Sequence, residues 1–246
     1  MIRLVIPAYD EAGSLEKLLP RLPQFVLGHE LVPLVVSDGS TDGTVDIARQ
    51  SGVSVLDLAP NRGKGTAVRA GLRAIEDLQS DIVVFMDADG QHDPNDLARL
   101  VAPLDSGEAD IVVASRYRDD EGRGNTPRNR YLVRSATVVL LHRILGTRFT
   151  DPYCGFRAFR RAALKNIEFC GSRYEGELEV LFDACRSGLA VVEIPIERVY
   201  GRGTSKMSAD GGRLTGRMRV IRQYALTILR KTRQLRSATD QARVHQ

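Results

Sequence analysis

Residues 81–94 read D-I-V-V-F-M-D-A-D-G-Q-H-D-P, and this stretch decides the fold. Its apolar run, residues 82–86, is short and rich in β-branched side chains, which predicts a strand buried on both faces. Three acids follow the run at once, namely Asp87, Asp89 and Asp93. Open α/β sheets bind their ligands at the carboxyl ends of the strands. The stretch therefore predicts a buried strand with a ligand site at its end.

The acidic residues of this stretch suit a metal ion. On an extended backbone the side chains of Asp87 and Asp89 leave on the same side, and two close carboxylates repel unless a cation or proton lies between them. Mg²⁺ or Mn²⁺ would accept these oxygen ligands together with a diphosphate. An acidic helix cap is the alternative, but Asp93 before Pro94 already supplies that cap. We predict a metal site formed by Asp87, Asp89 and Gln91.

The first 115 residues alternate short apolar runs with segments of helical spacing. Strands are predicted at residues 2–6, 31–36, 53–58, 82–86 and 110–115, and helices at 14–22, 45–50, 66–78 and 97–104. This alternation predicts an α/β fold with a doubly wound, mainly parallel sheet and helices on both faces. Polar clusters follow the strands, at the edge where such a sheet binds nucleotides.

Composition excludes several classes of protein. The chain has 246 residues, 43% of them apolar, and a net charge of +4. Its three cysteines show no C-x-x-C spacing, which argues against a disulfide framework or a zinc site and favours a reducing compartment. The N-terminus turns polar too early for a signal peptide, and no window approaches the ~20 apolar residues of a membrane span.

The C-terminal stretch, residues 213–236, is strongly basic. It contains eight arginines or lysines and no acid. Apolar residues recur at helical spacing at Leu214, Met218, Ile221, Ala225 and Ile228 or Leu229. This pattern predicts a basic amphipathic helix on a membrane surface, or one that packs its apolar stripe on the preceding domain; both can hold. Binding to nucleic acid is not predicted, because the charge is local and lacks an accompanying motif. We expect one domain over residues 1–211, followed by this helix and a tail over 212–246.

Four motifs in order resemble the inverting family 2 glycosyltransferases with the GT-A fold. They are P-A-Y-D-E at 7–11, S-D-G-S-T-D-G-T at 37–44, N-R-G-K-G at 61–65 and D-A-D-G-Q-H-D-P at 87–94. Three later motifs, A-S-R-Y at 114–117, D-P-Y-C-G-F-R at 151–157 and R-G-T-S-K at 202–206, resemble the dolichol (polyprenol) phosphate mannose synthase branch. The resemblance implies a metal-dependent transfer of a hexose to a polyprenyl or dolichyl monophosphate. The first expectation for the hexose is mannose, donated by GDP-mannose.

The resemblance also implies roles for individual residues. Those expected to bind the nucleotide-sugar are Pro7, Tyr9, Glu11, Asp38, Lys64, Asp87, Ala88, Asp89, Gln91, Arg116, Arg202 and Lys206. Those expected at the catalytic centre are Asp89, Arg116, Arg130 and Glu177, with the two arginines holding the acceptor phosphate. A phosphate acceptor is largely ionised at neutral pH, so no essential base is assigned to Glu177. Two departures concern base specificity: Asp10 replaces the usual asparagine, and Ser37 precedes Asp38 where a second aspartate is common.

The expected partners are a nucleotide-sugar donor, a polyprenyl-phosphate acceptor and a membrane surface. A membrane-spanning partner protein is conceivable, and the expected location is the cytoplasmic face of a membrane. Two alternatives stay open: a family 2 enzyme of the same fold with a UDP-sugar donor or a soluble acceptor, and a non-catalytic peripheral membrane protein that binds nucleotide-sugar. A sugar nucleotidyltransferase is disfavoured, because P-A-Y-D-E replaces the glycine-rich G-x-G-T-R loop after the first strand.

Overall fold

The computed structural model describes residues 1–118, 128–171, 173, 175–197 and 221–235, with the backbone alone for residues 128–130. The strands are β1 (Ile2–Ala8), β2 (Phe25–Val26), β3 (His29–Asp38), β4 (Ser54–Leu58), β5 (Ile82–Phe85), β6 (Ile111–Ser115), β7 (Arg157–Arg160) and β8 (Val191–Pro195). The helices are α1 (Ala12–Leu18), α2 (Thr44–Gln50), α3 (Lys64–Ala74), α4 (Leu97–Asp105), α5 (Arg128–Leu145), α6 (Arg161–Leu164), α7 (Gly176–Arg186) and α8 over residues 221–235.

The strands form one mostly parallel sheet in the order β2-β3-β1-β5-β7-β6-β8, with β4 also paired to β3. The predicted doubly wound α/β sheet is thereby confirmed. Its order reverses between β3 and β5 on either side of β1, which creates the crevice where such sheets bind ligands. The strand β7 was not predicted, nor was the short β2; β7 runs antiparallel between β5 and β6. The motif at residues 151–157 leads into this strand, which begins at Arg157.

The antiparallel direction of β7 has a consequence for the site. Arg157, at its beginning, lies opposite Phe85 at the end of β5 and Val113 near the end of β6. Residues 151–156, which precede β7, therefore lie at the same edge of the sheet as the loops that follow β1, β5 and β6. Four stretches of the chain meet there.

The helix α3 is shorter than predicted and packs closely on the sheet. It begins at Lys64, after Gly63 with a φ of 97°, and it ends at Ala74, so that the buried Ile75 lies in the following turn. A Cβ atom at Gly71 would lie 2.6 Å from the nearest side-chain atom of Val5, which means that only glycine allows α3 to approach β1 this closely. Lys64 is thus held at the carboxyl edge of the sheet.

The C-terminal helix α8 packs on the domain with only part of the predicted apolar stripe. Its buried residues include Tyr224, Lys231 and Ile228 of the stripe, whereas Ile221 and Ala225, also assigned to the stripe, are exposed. Lys231 can be buried because it is neutralised by Asp183 of α7, at 2.7 and 2.8 Å. Contact of the exposed stripe residues with a membrane stays a prediction. None of the helices in the described ranges is long and apolar enough to cross a bilayer. The predicted domain boundary at residue 211 lies outside those ranges.

Candidate active site

The acidic turn after β5 lies at the centre of the site. Asp87 follows the strand closely, and Asp89 lies in a turn that reverses at Gly90, whose φ is 72°. The Asp89 carboxylate accepts a hydrogen bond from the N–H of Gln91 at 3.1 Å, and the N–H of Asp87 donates to Nδ1 of the buried His92 at 3.4 Å. The expected extended backbone through Asp89 is therefore wrong, because the chain folds back to bring His92 against Asp87.

The carboxyl groups of Asp87 and Asp89 influence each other strongly. Burial and the neighbouring charge of Asp87 raise the pKa of Asp89 to about 7. Burial also opposes ionisation of Asp87, but the Lys64 ammonium contributes to an opposite effect that lowers the pKa of Asp87 overall. Near neutral pH, Asp89 therefore holds a proton part of the time, and a cation could replace that proton.

A divalent metal ion fits this pair of residues. Carboxylate oxygens are hard ligands that suit Mg²⁺ and Mn²⁺, and a cation would relieve the repulsion between Asp87 and Asp89. Within the described ranges, no group of three or more His, Cys, Asp or Glu residues could hold a metal. The protein would supply two carboxylates and leave other coordination positions to a diphosphate and water. A side-chain contribution from Gln91 stays a prediction.

Lys64 joins the acidic turn to the helix α7. Its Nζ lies 2.6 Å from Oδ1 of Asp87 and 2.7 Å from Oε1 of Glu177, which is in the first turn of α7. Burial opposes the charge on Lys64, but the two carboxylates outweigh it and raise the pKa of the ammonium above its usual value. Glu177 is therefore paired with a permanent cation, which does not suit it to act as a general base.

The other two acids near Glu177 accept hydrogen bonds from backbone groups, and Glu179 also pairs with Arg230 of α8. Glu179 accepts hydrogen bonds from the N–H groups of Cys170 and Gly171 at 2.9 to 3.1 Å. Glu175 accepts from the N–H of Arg173 at 2.9 Å. Of these three acids, Glu177 is the one that pairs with Lys64.

Asp38, expected to contact the base or ribose, holds the glycine-rich loop. Its two carboxylate oxygens accept hydrogen bonds from the N–H groups of Arg62 and Gly63, at 3.0 and 2.6 Å. Asp38 thereby positions the loop that begins α3 and presents Lys64. A carboxylate has further acceptor capacity, so a contact with the nucleoside stays a prediction.

Asp10 connects the loops that follow β1 and β3. Its φ is 48°, a conformation that Asp and Asn adopt more readily than most residues. Its Oδ1 accepts a hydrogen bond from the N–H of Thr41 at 2.7 Å, and its own N–H donates to Oγ of Ser40 at 3.0 Å. The hydrogen bond from Thr41 needs only a side-chain acceptor oxygen, which aspartate and asparagine both have.

The remaining residues expected in the nucleoside pocket also follow β1 and β5. Pro7 is buried within β1, and Tyr9, just after the strand, is partly exposed. Glu11 begins α1 and accepts a hydrogen bond from Oγ of Ser14 at 2.7 Å. Ala88 is buried in the acidic turn. The contacts of these four residues with a nucleotide stay predictions.

On the other side of the acidic turn, Arg116 follows β6 and forms a two-point ion pair with the fully buried Asp151. Nε lies 2.7 Å from Oδ2, and Nη2 lies 3.1 Å from Oδ1. The charge of Arg116 also contributes to the lowered pKa of Asp87, so the two groups share one site. Asp151 fixes one edge of the guanidinium. Among the contacts of the described residues, none engages Nη1 of Arg116, which leaves that nitrogen available to an anion.

A second arginine, Arg134 of α5, lies near Arg116. Its guanidinium carbon lies 4.2 Å from the ring centroid of Tyr117, and that of Arg116 lies 6.0 Å from the same centroid. Arg134 also donates to the carbonyl oxygen of Thr150 at 2.8 Å, whereas its buried Nε has no hydrogen-bond partner within the described ranges. The structure therefore brings two arginines together on the predicted acceptor side.

Glu193 of β8 supports this arrangement and was missed by the sequence analysis. Its buried carboxylate accepts hydrogen bonds from the N–H groups of Thr150 and Asp151, at 2.9 and 3.1 Å, and from Oγ1 of Thr150 at 2.8 Å. Glu193 thus holds the loop that presents Asp151 to Arg116. No local motif marks it, since it is one acid within an apolar strand.

A pocket of about 420 Å³, open solvent included, lies beside Lys64 and Glu177. Its apolar walls come from α3, β5, β7, α7 and the segment before α7, and they include Val68, Phe85, Phe159, Phe169 and Val180. Three predicted site residues cannot be assigned to the site. Arg202 and Lys206 lie outside the described residues, as does the side chain of Arg130.

The family model for glycosyl transferase family 2 matches residues 4–168. The undecaprenyl-phosphate mannosyltransferase of Micrococcus luteus is 35% identical over 213 residues, which are 83% of this chain and 86% of that protein. The UDP-N-acetylglucosamine–dolichyl-phosphate N-acetylglucosaminyltransferase of Methanococcus voltae is 30% identical over 232 residues, covering 84% and 91%.

A solved structure with the same fold is the glucosyl-3-phosphoglycerate synthase of Mycobacterium tuberculosis in complex with Mn²⁺, UDP-glucose and phosphoglyceric acid. It is 26% identical, has a TM-score of 0.73 and aligns with 94% of this chain and 79% of its own. The expected GT-A fold is confirmed, and the expected cofactors are those found in such structures, with Mn²⁺ or Mg²⁺. Because the family model spans more than half of the chain and the relatives match most of it, the chain belongs to glycosyl transferase family 2.

Proposed function

We propose that this protein transfers a hexose from a nucleotide-sugar to the phosphate of a polyprenyl or dolichyl monophosphate, with inversion at the anomeric carbon. Mannose from GDP-mannose is the first choice. One observation carries the proposal: the acidic pair Asp87 and Asp89 shares an edge of the sheet with two arginines, Arg116 and Arg134, one of which lies on a helix with an exposed apolar face. The acidic pair suits a metal-bound diphosphate donor, and the two arginines beside an apolar helix face suit a lipid-linked phosphate acceptor.

On the donor side, Asp87 and Asp89 would hold Mg²⁺ or Mn²⁺ against the diphosphate. Such an ion, when bound, supplies charge neutralisation for the departing nucleoside diphosphate. Tyr9 and Glu11 follow β1 and Asp38 ends β3, at the edge where the nucleoside of the donor would bind. A relative that transfers mannose and a relative that transfers N-acetylglucosamine both match the chain. The identity of the donor's base and sugar is therefore part of the proposal and is tested with several donors.

On the acceptor side, Arg116 orients an ionised phosphate toward the donor sugar. Asp151 keeps the guanidinium in one orientation, and Nη1 remains to bind the incoming anion. Arg134 adds a second positive charge, and Arg130 is predicted to be a third. The acceptor phosphate is already ionised near pH 7, so it attacks C1 without a protein base. Glu177, which is paired with Lys64, is not needed for that step.

A membrane surface is the proposed place of reaction, because α5 and α8 present apolar side chains to solvent. The exposed residues on α5 are Leu132, Val133, Val139 and Leu140, and those on α8 are Ile221, Leu226 and Leu229. Tyr153 contacts both helices: its hydroxyl lies 2.7 Å from Oγ1 of Thr137, and its ring stacks on Tyr224 at 4.7 Å. The exposed Arg222 and Arg233 of α8 would contact anionic headgroups.

This membrane contact predicts a loss of vesicle binding when the apolar face of α8 is made acidic. The double variant Leu226→Glu/Leu229→Glu should bind anionic vesicles about tenfold more weakly or worse, since each leucine loses its burial in lipid. Sedimentation with phosphatidylglycerol vesicles measures this. The charge-matched control is Phe25→Glu/Leu78→Glu, at exposed apolar residues outside α5 and α8. Equal loss in both double variants would contradict the assignment and leave only a general charge effect.

A membrane-spanning partner protein could strengthen the same contact.

The proposed reaction is tested by product formation. The protein is incubated with Mn²⁺, a polyprenyl phosphate and, in separate reactions, GDP-mannose, UDP-glucose and UDP-N-acetylglucosamine. We expect a lipid-linked hexose with one donor, GDP-mannose first, detected by extraction and mass spectrometry. If no donor yields a lipid-linked product, the proposed acceptor is wrong; binding of donor without turnover would support a non-catalytic role instead.

A soluble phosphorylated acceptor is the second candidate. The glucosyl-3-phosphoglycerate synthase structure, with phosphoglyceric acid bound, supports it because the fold is shared and an arginine can bind either kind of phosphate. Adding 3-phosphoglycerate to the same three reactions distinguishes the two. A water-soluble glycosylated product formed without lipid would favour this candidate.

A further inference from the structure

The ammonium of Lys64 lies where a cation would contact Asp87. Its Nζ is 2.6 Å from Oδ1 of Asp87, which we assign as a metal ligand, and 2.7 Å from Oε1 of Glu177. A carboxylate oxygen that already binds an ammonium is less available to a second cation. Lysine is a compact point charge on a flexible stem, so it can exchange partners more readily than arginine can.

The surroundings restrict where this ammonium can go. A Cβ atom at Gly155 would lie 2.5 Å from Nζ of Lys64 and 2.7 Å from Oδ2 of Asp87, so the backbone of Gly155 closes one side. Glu177 closes another: its side chain is 10% exposed, and its buried Oε2 has no hydrogen-bond partner within the described ranges. Glu177 can therefore offer the ammonium a second oxygen while Asp87 releases it.

We propose that Lys64 occupies the cation position at Asp87 in the free enzyme and moves to the donor's diphosphate when metal and nucleotide bind together. Glu177 is then a positioning residue that retains the ammonium in the site during this exchange. The proposal rests on the proposed function, because it assumes a donor that binds as a metal–diphosphate complex. It makes metal binding depend on nucleotide: metal alone must displace Lys64 without compensation, whereas the diphosphate offers the ammonium a new partner.

The test measures the affinity for Mn²⁺ by the electron paramagnetic resonance of free Mn²⁺, with and without a saturating nucleoside diphosphate, GDP and UDP in turn. We compare the ratio of the two affinities between variants, because chelation by the nucleotide itself cancels in that comparison. Lys64→Met should tighten Mn²⁺ binding without nucleotide by about tenfold, the size of effect seen for residues next to metal ligands. With nucleotide it should not tighten binding, so the ratio falls about tenfold.

The ratio separates this exchange from a simple charge effect. If Lys64 only repelled Mn²⁺ from a fixed position, its removal would tighten binding equally in both states and leave the ratio unchanged, which would overturn the proposal. Glu177→Gln should weaken Mn²⁺ binding without nucleotide, since the ammonium then pairs with Asp87 alone. Lys165→Met is the charge-matched control, because Lys165 is exposed and follows β7 at the opposite edge of the sheet; its ratio should equal that of the wild type.

Two further measurements keep the outcome interpretable. Thermal unfolding checks each variant, and Lys64→Gln, which keeps a hydrogen-bond donor, replaces Lys64→Met if that variant does not fold. Product formation is measured separately. A changed ratio without any product would support the exchange and contradict the proposed function. Product formation with an unchanged ratio would support the proposed function and contradict the exchange.

Discussion

The variant Asp89→Asn should lose hexose transfer by about 10³-fold, because electrostatic stabilisation of the leaving group is the largest single contribution that this site can make. Asparagine has the same shape, and its side-chain oxygen can still accept the hydrogen bond that Asp89 receives from the N–H of Gln91. The substitution therefore removes a charge and leaves the turn. Transfer is measured with Mn²⁺ and whichever donor gives product with the wild type.

The matched control for this experiment is Asp77→Asn. Asp77 is an exposed aspartate between α3 and β5, at the amino end of β5 and so at the opposite edge of the sheet from the site. We expect wild-type transfer in this control and an unchanged unfolding transition in both variants. Full activity in Asp89→Asn would contradict its assignment as a metal ligand.

The variant Asp183→Ala should lose about 3 kcal/mol of unfolding free energy, since it removes the buried counter-ion of Lys231 and leaves the ammonium only the exposed carboxylate of Glu168, 3.6 Å away. The side chains of Asp183 and Lys231 are 1% and 2% exposed, and Nζ lies 2.7 and 2.8 Å from the two carboxylate oxygens. Asp183 also accepts the N–H of Glu168 at 3.0 Å, so the loss affects the segment before α7 as well. Urea unfolding followed by circular dichroism measures the change.

A second variant separates the charge from the packing. Asp183→Leu/Lys231→Met removes both charges and keeps apolar volume, so it should be less destabilised than Asp183→Ala. Asp105→Ala is the exposed control: Asp105 pairs with His29 at 2.8 Å but is 45% exposed, and its loss should cost less than ~1 kcal/mol. If Asp183→Ala cost no more than Asp105→Ala, the buried pair would not hold α8 on the domain.

The parts of the fold that depend on local pattern were predictable. The alternation of apolar runs and helical segments over the first 115 residues predicted β1, β3, β4, β5 and β6 within a few residues of their ends. The parallel sheet follows from that alternation, because each helix must return the chain to the same edge. Once the strands are placed, Asp38 and Asp87 lie at one edge by necessity, and the site's location follows.

The partner of each charged side chain was not predictable, because it depends on segments distant in the chain. Lys64 pairs with Glu177, 113 residues away, and Arg116 pairs with Asp151, 35 residues away. The Arg116–Asp151 pair forms because β7 enters the sheet antiparallel and brings residues 151–156 to the active edge. Glu177 comes from α7, where its carbonyl oxygen accepts a hydrogen bond from Arg157 of β7 at 2.6 Å. A four-residue strand that contains two arginines has no apolar run to reveal it, so neither its presence nor its direction could be predicted.

The sequence by itself determined the mostly parallel sheet, the edge that carries the candidate site and the acidic pair that we propose binds a metal ion, because these follow from local periodicity and from motifs beside strand ends. Only the tertiary structure decided that Lys64 contacts Asp87, that Glu193 holds the loop of Asp151, and that Lys231 is buried rather than exposed on α8. The physical reason is that a charge can be buried wherever an opposite charge from a distant part of the chain lies against it. Residue spacing along the chain does not show which charges will be paired in this way.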